Sequence, residues 1–287
     1  MEIFVQQLLN GLVLGGIYSL VALGLTLVYG ILEVPNFAHG AFYMIGAFVS
    51  YLLMTSLGMN YWLAMLGSAI VMAVLSVFAE RLVFNPLRGA SLLHAMVAAI
   101  GLLLFLESGA QALWGADFRR MPTPYDGVVH VFGAVAPVQR LLIIAGAFIL
   151  VLALHLFLTR TTTGSSIVAM AQNREGASLM GIDATRVSML TFAISGVLAA
   201  IAATLFAPIA LVFPAMGNLV VMKAFVIIIL GGMGSIPGAI VGGLIIGLTE
   251  AFAAFYISTD YKDIVAFILL VAILSVRPQG LFGSGGH

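Results

Sequence analysis

Long apolar stretches without charge dominate this chain. Residues Ile3 to Leu32 and Pro35 to Ala79 contain no lysine, arginine, aspartate or glutamate. A helix needs about 20 apolar residues to cross roughly 30 Å of hydrocarbon, because each residue adds about 1.5 Å. The stretches are apolar on every face rather than at alternate positions, which favours helices over the strands of a barrel. The pattern therefore predicts an all-α, polytopic transmembrane helical bundle.

Charges, prolines and glycine-rich turns divide the chain into predicted spans. Six are well delimited: Phe4 to Tyr29, Ala41 to Thr55, Tyr61 to Ala79, Leu92 to Trp114, Arg140 to Leu158 and Val187 to Val212. After them, Val220 to Tyr256 is interrupted by a glycine-rich run at 231–238, and Ile264 to Val276 forms a short last span. The interrupted segment is either one kinked span or two half-length helices joined at a glycine turn. We expect eight or nine spans in a single transmembrane domain covering 1–287.

Arginines near the span ends predict the orientation, since lysine and arginine favour the cytoplasmic side. One set follows the first, third and fifth spans: Arg81, Arg88, Arg160, Arg174 and Arg186. The opposite connections hold Arg119, Arg120 and Arg140. This asymmetry predicts an outside N-terminus and a cytoplasmic loop at 159–185. Arg277 joins the cytoplasmic set if the number of spans is odd, and lies outside if it is eight.

Composition and motifs argue against several classes of function. The chain is 62% hydrophobic and 8% charged with a net charge of zero, so it carries no basic field for nucleic acid. It has no cysteine, and its histidines lack the paired spacing of a metal site. It also lacks the glycine-rich, Lys-Ser/Thr-ended loop that binds nucleotide phosphates. We expect no metal and no cofactor in this chain.

The predicted cytoplasmic loop has the pattern of a short amphipathic helix. Ile167, Met170 and Ala171 share one face, and Gly181 lies where the helix would stop. The candidate caps at its start are Thr163, Ser165 and Ser166. The segment is too short to span the membrane. Its mixture of small, apolar and polar residues suits docking into a protein groove better than lying on lipid. A plain surface connection between two spans is the alternative.

Two ionisable residues lie in the last apolar segments, Lys223 near the start of one and Glu250 deeper in the next. Glu250 has no neighbouring charge in sequence, and Lys223 is its predicted partner across the glycine-rich break. Structural fixation of the break and direct contact with a substrate both remain open. Because unpaired backbone at membrane depth is tolerated where it lines a cavity, the break is also a candidate pathway element.

Several motifs together resemble the branched-chain amino acid permeases of the LivH type, which belong to ABC importers. They cover nearly the whole chain in the order of that family: Asn36-Phe37-Ala38-His39-Gly40, Phe42 to Ala47, the loop at 161–183, Lys223-Ala224-Phe225, Leu230 to Ala239, Tyr261-Lys262-Asp263 and Arg277 to Gly283. One departure is Ala41, where the family commonly has glutamate.

The resemblance implies roles for particular residues. It places coupling to an ATPase on Gly164, Ala171, Asn173, Arg174, Glu175, Ala177, Gly181 and Ile182. Candidate positions along the translocation pathway are Asn36, His39, Lys223, Gly231, Gly232, Gly234 and Glu250. The resemblance further implies ABC ATPase subunits that bind the ATP, a second homologous permease, a periplasmic substrate-binding protein and a location in the bacterial inner membrane.

The residues leave the substrate open. Branched-chain amino acids fit a mostly apolar path, but related permeases are thought to carry urea, short amides or other amino acids. A self-sufficient secondary transporter is a further alternative, although the chain shows no clear internal repeat and few carboxylates within its spans.

Overall fold

The computed structural model describes residues 2–131 and 133–283, and these residues are overwhelmingly helical, which confirms the predicted fold class. The helices are α1 (Glu2–Leu32), α2 (His39–Thr55), α3 (Tyr61–Ala79), α4 (Leu92–Trp114), α5 (Val138–Arg160), α6 (Thr162–Gln172), α7 (Arg174–Leu179), α8 (Ala184–Phe206), α9 (Met216–Gly231), α10 (Ile236–Tyr256) and α11 (Lys262–Val276). A π-helical turn, Glu80–Phe84, and a 3-10 turn, Asn85–Leu87, follow α3. Four short strands are β1 (Arg119–Arg120), β2 (Val128–Val131), β3 (Ala134–Pro137) and β4 (Leu211–Val212).

Six helices in the described part of the chain are long and apolar enough to cross a membrane. They are α1, α3 with the turns that continue it, α4, α5, α8 and α10. The apolar helices α2 and α9 are shorter, with 17 and 16 residues, and α11 has 15. The crossing count of eight or nine therefore stays a prediction.

One predicted boundary is wrong, and one of the two alternatives for the interrupted segment is excluded. The sixth span was expected to continue to Val212, but α8 ends at Phe206 and the chain then forms β4, which pairs with β1. The interrupted segment is not one kinked span, because α9 and α10 are separate helices. They run antiparallel, as the contacts of Gly231 with Gly238 and of Lys223 with Glu250 require. At 21 residues, α10 is also longer than a half-length helix.

Helix α1 is the centre of the bundle, and it packs against α5, α8, α9 and α10. Small residues let α1 and α10 approach closely. A Cβ on Gly15 would lie 2.9 Å from the Cα of Leu244, and a Cβ on Gly243 would lie 2.8 Å from the Cα of Ser19. Close helix contacts of this kind stabilise bundles in lipid, where apolar burial alone gives little preference. Gly15 and Gly243 thus serve the packing of α1 against α10.

Helix α4 stands at the edge of the bundle. Only Ala99 and Ala110 of its residues are buried, and most of its large apolar side chains are exposed, Phe105 and Leu113 among them. Trp114 at its end stacks on Phe48 of α2, with ring centroids 4.7 Å apart. The apolar outer surface of α4 suits a lipid environment.

The bundle has two distinct ends. One, which we call the hairpin end, carries the β2–β3 hairpin and the first turn of α1, because Glu2 packs against Gly133. The other, the loop end, carries α6 and α7, and Ala171 packs there against Gly30 near the end of α1. The length of α1 separates the two ends.

Candidate coupling and translocation sites

Helix α6 is fixed to the bundle by its apolar face. Ile167 and Met170 are buried, and α6 contacts α1, α5 and α8. Gly164 allows this approach, since a Cβ there would lie 2.6 Å from the Cα of Leu158. The cap is Thr161, whose Oγ1 accepts a hydrogen bond from the Gly164 backbone at 3.0 Å, and not one of the hydroxyl residues predicted for this role. The face expected to dock into a partner therefore packs on the chain's own helices.

The single predicted loop helix is two helices, because Asn173 ends α6 and begins α7. Its extended backbone breaks the first helix, and its side chain accepts a hydrogen bond from the Gly176 backbone at 2.8 Å. An asparagine in this position satisfies one of the free amides at a helix start. Arg174 and Glu175 then lie exposed in the first turn of α7. Asn173 thus separates the packed helix α6 from the exposed charges of α7.

Gly181 ends α7 as the sequence predicted. It has a φ of +85°, its amide bonds to the Ser178 carbonyl, and the amide of Ile182 bonds to the Ala177 carbonyl at 3.1 Å. This pair of bonds is the Schellman motif, in which a left-handed residue closes the helix and the flanking apolar residues pack together. Ala177 is buried and Ile182 half-buried, in agreement with that packing.

Two large apolar side chains project from the tip of this loop. Leu179 is 88% exposed and Met180 is 84% exposed. They are the two residues before the left-handed Gly181, at the capped end of α7. Exposed apolar residues held on a rigid, otherwise polar element are typical of a protein-binding surface. We call Leu179 and Met180 the apolar tip.

The start of α8 is tied to the end of α3 at the same end of the bundle. Glu80 is fully buried and forms an ion pair with Arg88. Arg88 also donates a hydrogen bond from Nη1 to Thr185 Oγ1 at 3.0 Å. Thr185 is the second residue of α8, two positions after Asp183, which caps that helix. We call Glu80, Arg88 and Thr185 the clamp, since together they connect the loop to α3.

Asn36 and His39 hold the start of α2 inside the bundle. The Asn36 Oδ1 accepts a hydrogen bond from the Ala38 backbone at 3.2 Å. His39 Nε2 lies 3.1 Å from the carbonyl oxygen of Val21, and Ser195 Oγ lies 3.2 Å from His39 Nδ1. A carbonyl can only accept, so Nε2 donates and Nδ1 accepts from the serine. Asn36 and His39 are both fully buried, and in this conformation they join α1, α2 and α8.

The glycine-rich turn between α9 and α10 lies toward the loop end. Gly232 and Gly234 have φ values of +101° and +81°, which side chains other than glycine rarely adopt. Gly231 contacts Gly238 across the turn, and its carbonyl accepts from the Phe282 backbone at 2.9 Å. The turn lines a cavity of about 460 Å³ together with α6 and the end of α1. It therefore adjoins the loop at 159–185.

The predicted pair between Lys223 and Glu250 is confirmed. The Nζ of Lys223 lies 2.6 Å from Oε1 of Glu250 and 2.8 Å from Oδ1 of Asp263. Tyr18 donates to Oε2 of Glu250 at 2.9 Å and accepts from Lys223 at 3.1 Å. Glu250 is 1% exposed, whereas Asp263 is 48% exposed. The cluster joins α1, α9, α10 and α11, and a buried charge of this kind persists only when it is paired.

The site residues predicted from sequence therefore form separate groups. The candidate coupling residues collect on α6, α7 and the turn after α7, at the loop end. The three turn glycines adjoin them, Asn36 and His39 lie within the bundle, and Lys223 with Glu250 forms the charged cluster. Among the described residues no group of histidine, aspartate or glutamate side chains is arranged to hold a metal ion.

Comparisons with known proteins decide the family. A family described as branched-chain amino acid transport system, permease component, matches residues 7–274. The chain belongs to this family. The permease is 38% identical to the LivH high-affinity branched-chain amino acid transport permease of Salmonella typhimurium, over 98% of this chain and 96% of the relative. It is also 38% identical to BraD of Pseudomonas aeruginosa, with the same coverage. No solved structure matches.

A more distant relative bears on assembly. The LivM permease of Salmonella typhimurium is 28% identical over 92% of this permease and 67% of the relative. Its printed name assigns it to the same kind of high-affinity branched-chain amino acid system as LivH. Two related permease types thus occur among the relatives.

Two features of the permease escaped the sequence analysis. The apolar tip gave a signal, because two large apolar residues stand before Gly181 in a polar loop. The clamp gave a weaker signal in the sequence, since Glu80 and Arg88 resemble ordinary charged residues at the end of a span. Only the π-helical and 3-10 turns after α3 bring their side chains together.

Proposed function

We propose that this chain is the membrane-spanning permease subunit of a bacterial ABC importer for branched-chain amino acids. In this proposal it lies in the inner membrane beside a second, related permease, and a periplasmic binding protein delivers the substrate. Separate ATPase subunits bind the ATP. The family match, the LivH and BraD relatives and the LivM relative support this assignment.

The observation that carries the coupling role is the construction of the loop end. The apolar face of α6 is anchored in the bundle, whereas α7 holds Arg174, Glu175 and the apolar tip in solvent. A partner that grips the tip would move α6, α7 and the start of α8 together. Rigid elements with anchored bases transmit motion between sites in this way.

The clamp extends this connection into the membrane. A displacement of α7 reaches Thr185 through Gly181 and Asp183, and Arg88 passes it to the buried Glu80 behind α3. Breaking a buried ion pair is costly, so the connection resists stretching. In the proposed mechanism, closure of the ATPase subunits therefore shifts α3 and α8 relative to the rest of the bundle.

The charged cluster stabilises the opposite part of the permease. Lys223, Glu250 and Tyr18 lie on three different helices and hold α9 and α10 against α1. In the proposed mechanism this part of the bundle stays together while the loop end moves. Of the pathway residues predicted from sequence, the turn glycines therefore lie beside the part that moves. Lys223 and Glu250 lie in the part that stays together.

Reconstitution tests the proposed function. Proteoliposomes would contain this permease, its partner permease and the ATPase, with the binding protein added outside. We expect uptake of radiolabelled L-leucine that requires ATP inside and the binding protein outside. Uptake by this chain alone, driven by an ion gradient, would disprove the proposal. Uptake of urea but not of L-leucine would retain the subunit role and exclude the substrate.

A further inference from the structure

A cavity of about 260 Å³ opens between α1, α5, α8, α10 and α11, toward the hairpin end. Its polar lining residues include the cations Arg140 and Lys262 and the anion Glu250, together with Asn10 and Gln7. Most of the remaining wall is apolar, with Leu14, Phe206 and Ile209 among its members. Binding pockets for small ligands commonly combine apolar walls with a few polar groups that fix orientation. The volume is below the usual range for drug-sized ligands, which suits a compact molecule.

One pole of the cavity is cationic. Arg140 is the third residue of α5, and Lys262 is the first residue of α11. Helix N-termini add partial positive charge at both places. Within residues 2–131 and 133–283, neither side chain forms a salt bridge, and Arg140 makes a single side-chain hydrogen bond, to Asn10. A guanidinium carries five N–H donors, so most of its donors remain available for an anion.

The other pole is anionic. Lys223 lies within 2.8 Å of both Glu250 and Asp263, so one ammonium group serves two carboxylates. The cluster therefore has a formal charge of −1, and its buried member, Glu250, borders the cavity. Each carboxylate oxygen of Glu250 has one partner, Lys223 or Tyr18, and each oxygen can accept a second hydrogen bond. An additional ammonium group would complete the charge balance.

We propose that this cavity is an entry site for a zwitterionic amino acid with a short apolar side chain. The α-carboxylate binds Arg140, the α-ammonium binds Glu250, and the side chain contacts the apolar wall. The proposal rests on the proposed function and adds a site to it. Its opposite charges select a molecule that carries both an ammonium and a carboxylate group. They reject an amino-acid amide or a fatty acid, each of which carries only one of these charges.

Cysteine labelling tests the site directly, because the chain contains no cysteine of its own. Ala254 lines the cavity, and Phe255, the next residue of α10, is 51% exposed outside it. The full chain is placed in lipid nanodiscs as Ala254→Cys or as Phe255→Cys. The measured quantity is the rate of reaction with a small thiosulfonate reagent. We expect millimolar L-leucine to slow labelling of Ala254→Cys severalfold and to leave Phe255→Cys unchanged.

Ligand analogues and a second substitution assign the poles. Leucinamide lacks the carboxylate and 4-methylpentanoate lacks the ammonium, so we expect neither to protect Ala254→Cys. Adding Arg140→Gln should abolish protection by L-leucine, whereas Arg140→Lys should retain part of it. Absence of protection by L-leucine would overturn the site. Equal protection by 4-methylpentanoate would also overturn it, since that result indicates an apolar groove without charge recognition.

The uptake assay separates this proposal from the proposed function. Protection without ATP-driven uptake would support the site and contradict the importer role. ATP-driven uptake of L-leucine without protection would support the importer and overturn the site.

Discussion

At the residue scale, Gly181 has a conformational role and no steric one. Its φ is +85°, and nothing lies within 4 Å of the position that a Cβ would occupy. A β-branched residue there would cost about 1–2 kcal/mol, because the left-handed region is unfavourable for it. We expect Gly181→Val to lower L-leucine uptake while ATP hydrolysis continues.

The matched control is Gly181→Asn, since asparagine tolerates the left-handed conformation. It should retain most of the uptake in the same reconstituted transporter, and both variants should insert into the membrane normally. Full uptake by Gly181→Val would show that the end of α7 does not transmit force.

The apolar tip makes a separate prediction. Leu179 and Met180 contribute little to folding because they are almost fully exposed. The double change Leu179→Ala and Met180→Ala should weaken binding of the ATPase to the permease roughly tenfold or more, as loss of a central interface anchor does. The affinity can be measured with the permease in nanodiscs. Leu190→Ala, an exposed leucine on α8, is the control and should bind normally.

Some residue contacts could be predicted from sequence and others could not. Glu250 lay alone in an apolar segment, so a partner was required, and Lys223 was the nearest lysine or arginine across the break. His39 precedes the second predicted span by two positions, and it is the first residue of α2. Its partner Ser195 is 156 positions away, and that contact depends on how α1, α2 and α8 pack.

At the scale of elements, the clamp makes the connection between α3 and α8 testable. Glu80 is fully buried, so Arg88→Ala leaves an unpaired buried carboxylate and should cost about 3–5 kcal/mol. Thr185→Ala removes one hydrogen bond and should cost about 1 kcal/mol. Thermal unfolding in detergent measures both. Equal melting temperatures for wild type and Arg88→Ala would show that the clamp does not hold.

Close packing of α1 and α10 gives another prediction. Gly243→Ala forces a Cβ against the backbone of Ser19, and overpacking of this kind typically costs about 1–3 kcal/mol. Gly109→Ala on α4 is the matched control, because nothing lies within 4 Å of the added Cβ. Alanine favours helix by about 1 kcal/mol over glycine, so the control should unfold at the wild-type temperature or higher.

The elements themselves were largely predictable, because uninterrupted apolar runs identify membrane helices by length. Helix breaks that depend on a single side chain were harder to predict. Asn173 divides the loop helix through its own cap, and the sequence pattern continued across it. The end of α8 at Phe206 was also missed, since 207–212 remain apolar while the chain turns to pair β4 with β1.

At the scale of the whole molecule, the two ends have different chemistry. The loop end carries the capped α7, its exposed charges and the apolar tip. Toward the hairpin end lie the charged cluster and the cavity with opposite poles. Such a separation fits a permease that receives substrate at one face and force at the other. The arginine bias predicts that the loop end is the cytoplasmic one, since five arginines follow the third and fifth predicted spans.

The orientation of the loop is the most direct test of this account. Ser178→Cys on α7 and Asp126→Cys before the hairpin each place one exposed thiol in a chain without cysteine. An impermeant maleimide is applied to intact cells and to inside-out vesicles. We predict that Ser178→Cys reacts only in the vesicles, and that Asp126→Cys reacts in the cells once the outer membrane is permeabilised. Labelling of Ser178→Cys in those cells would place α7 outside and contradict coupling through the loop.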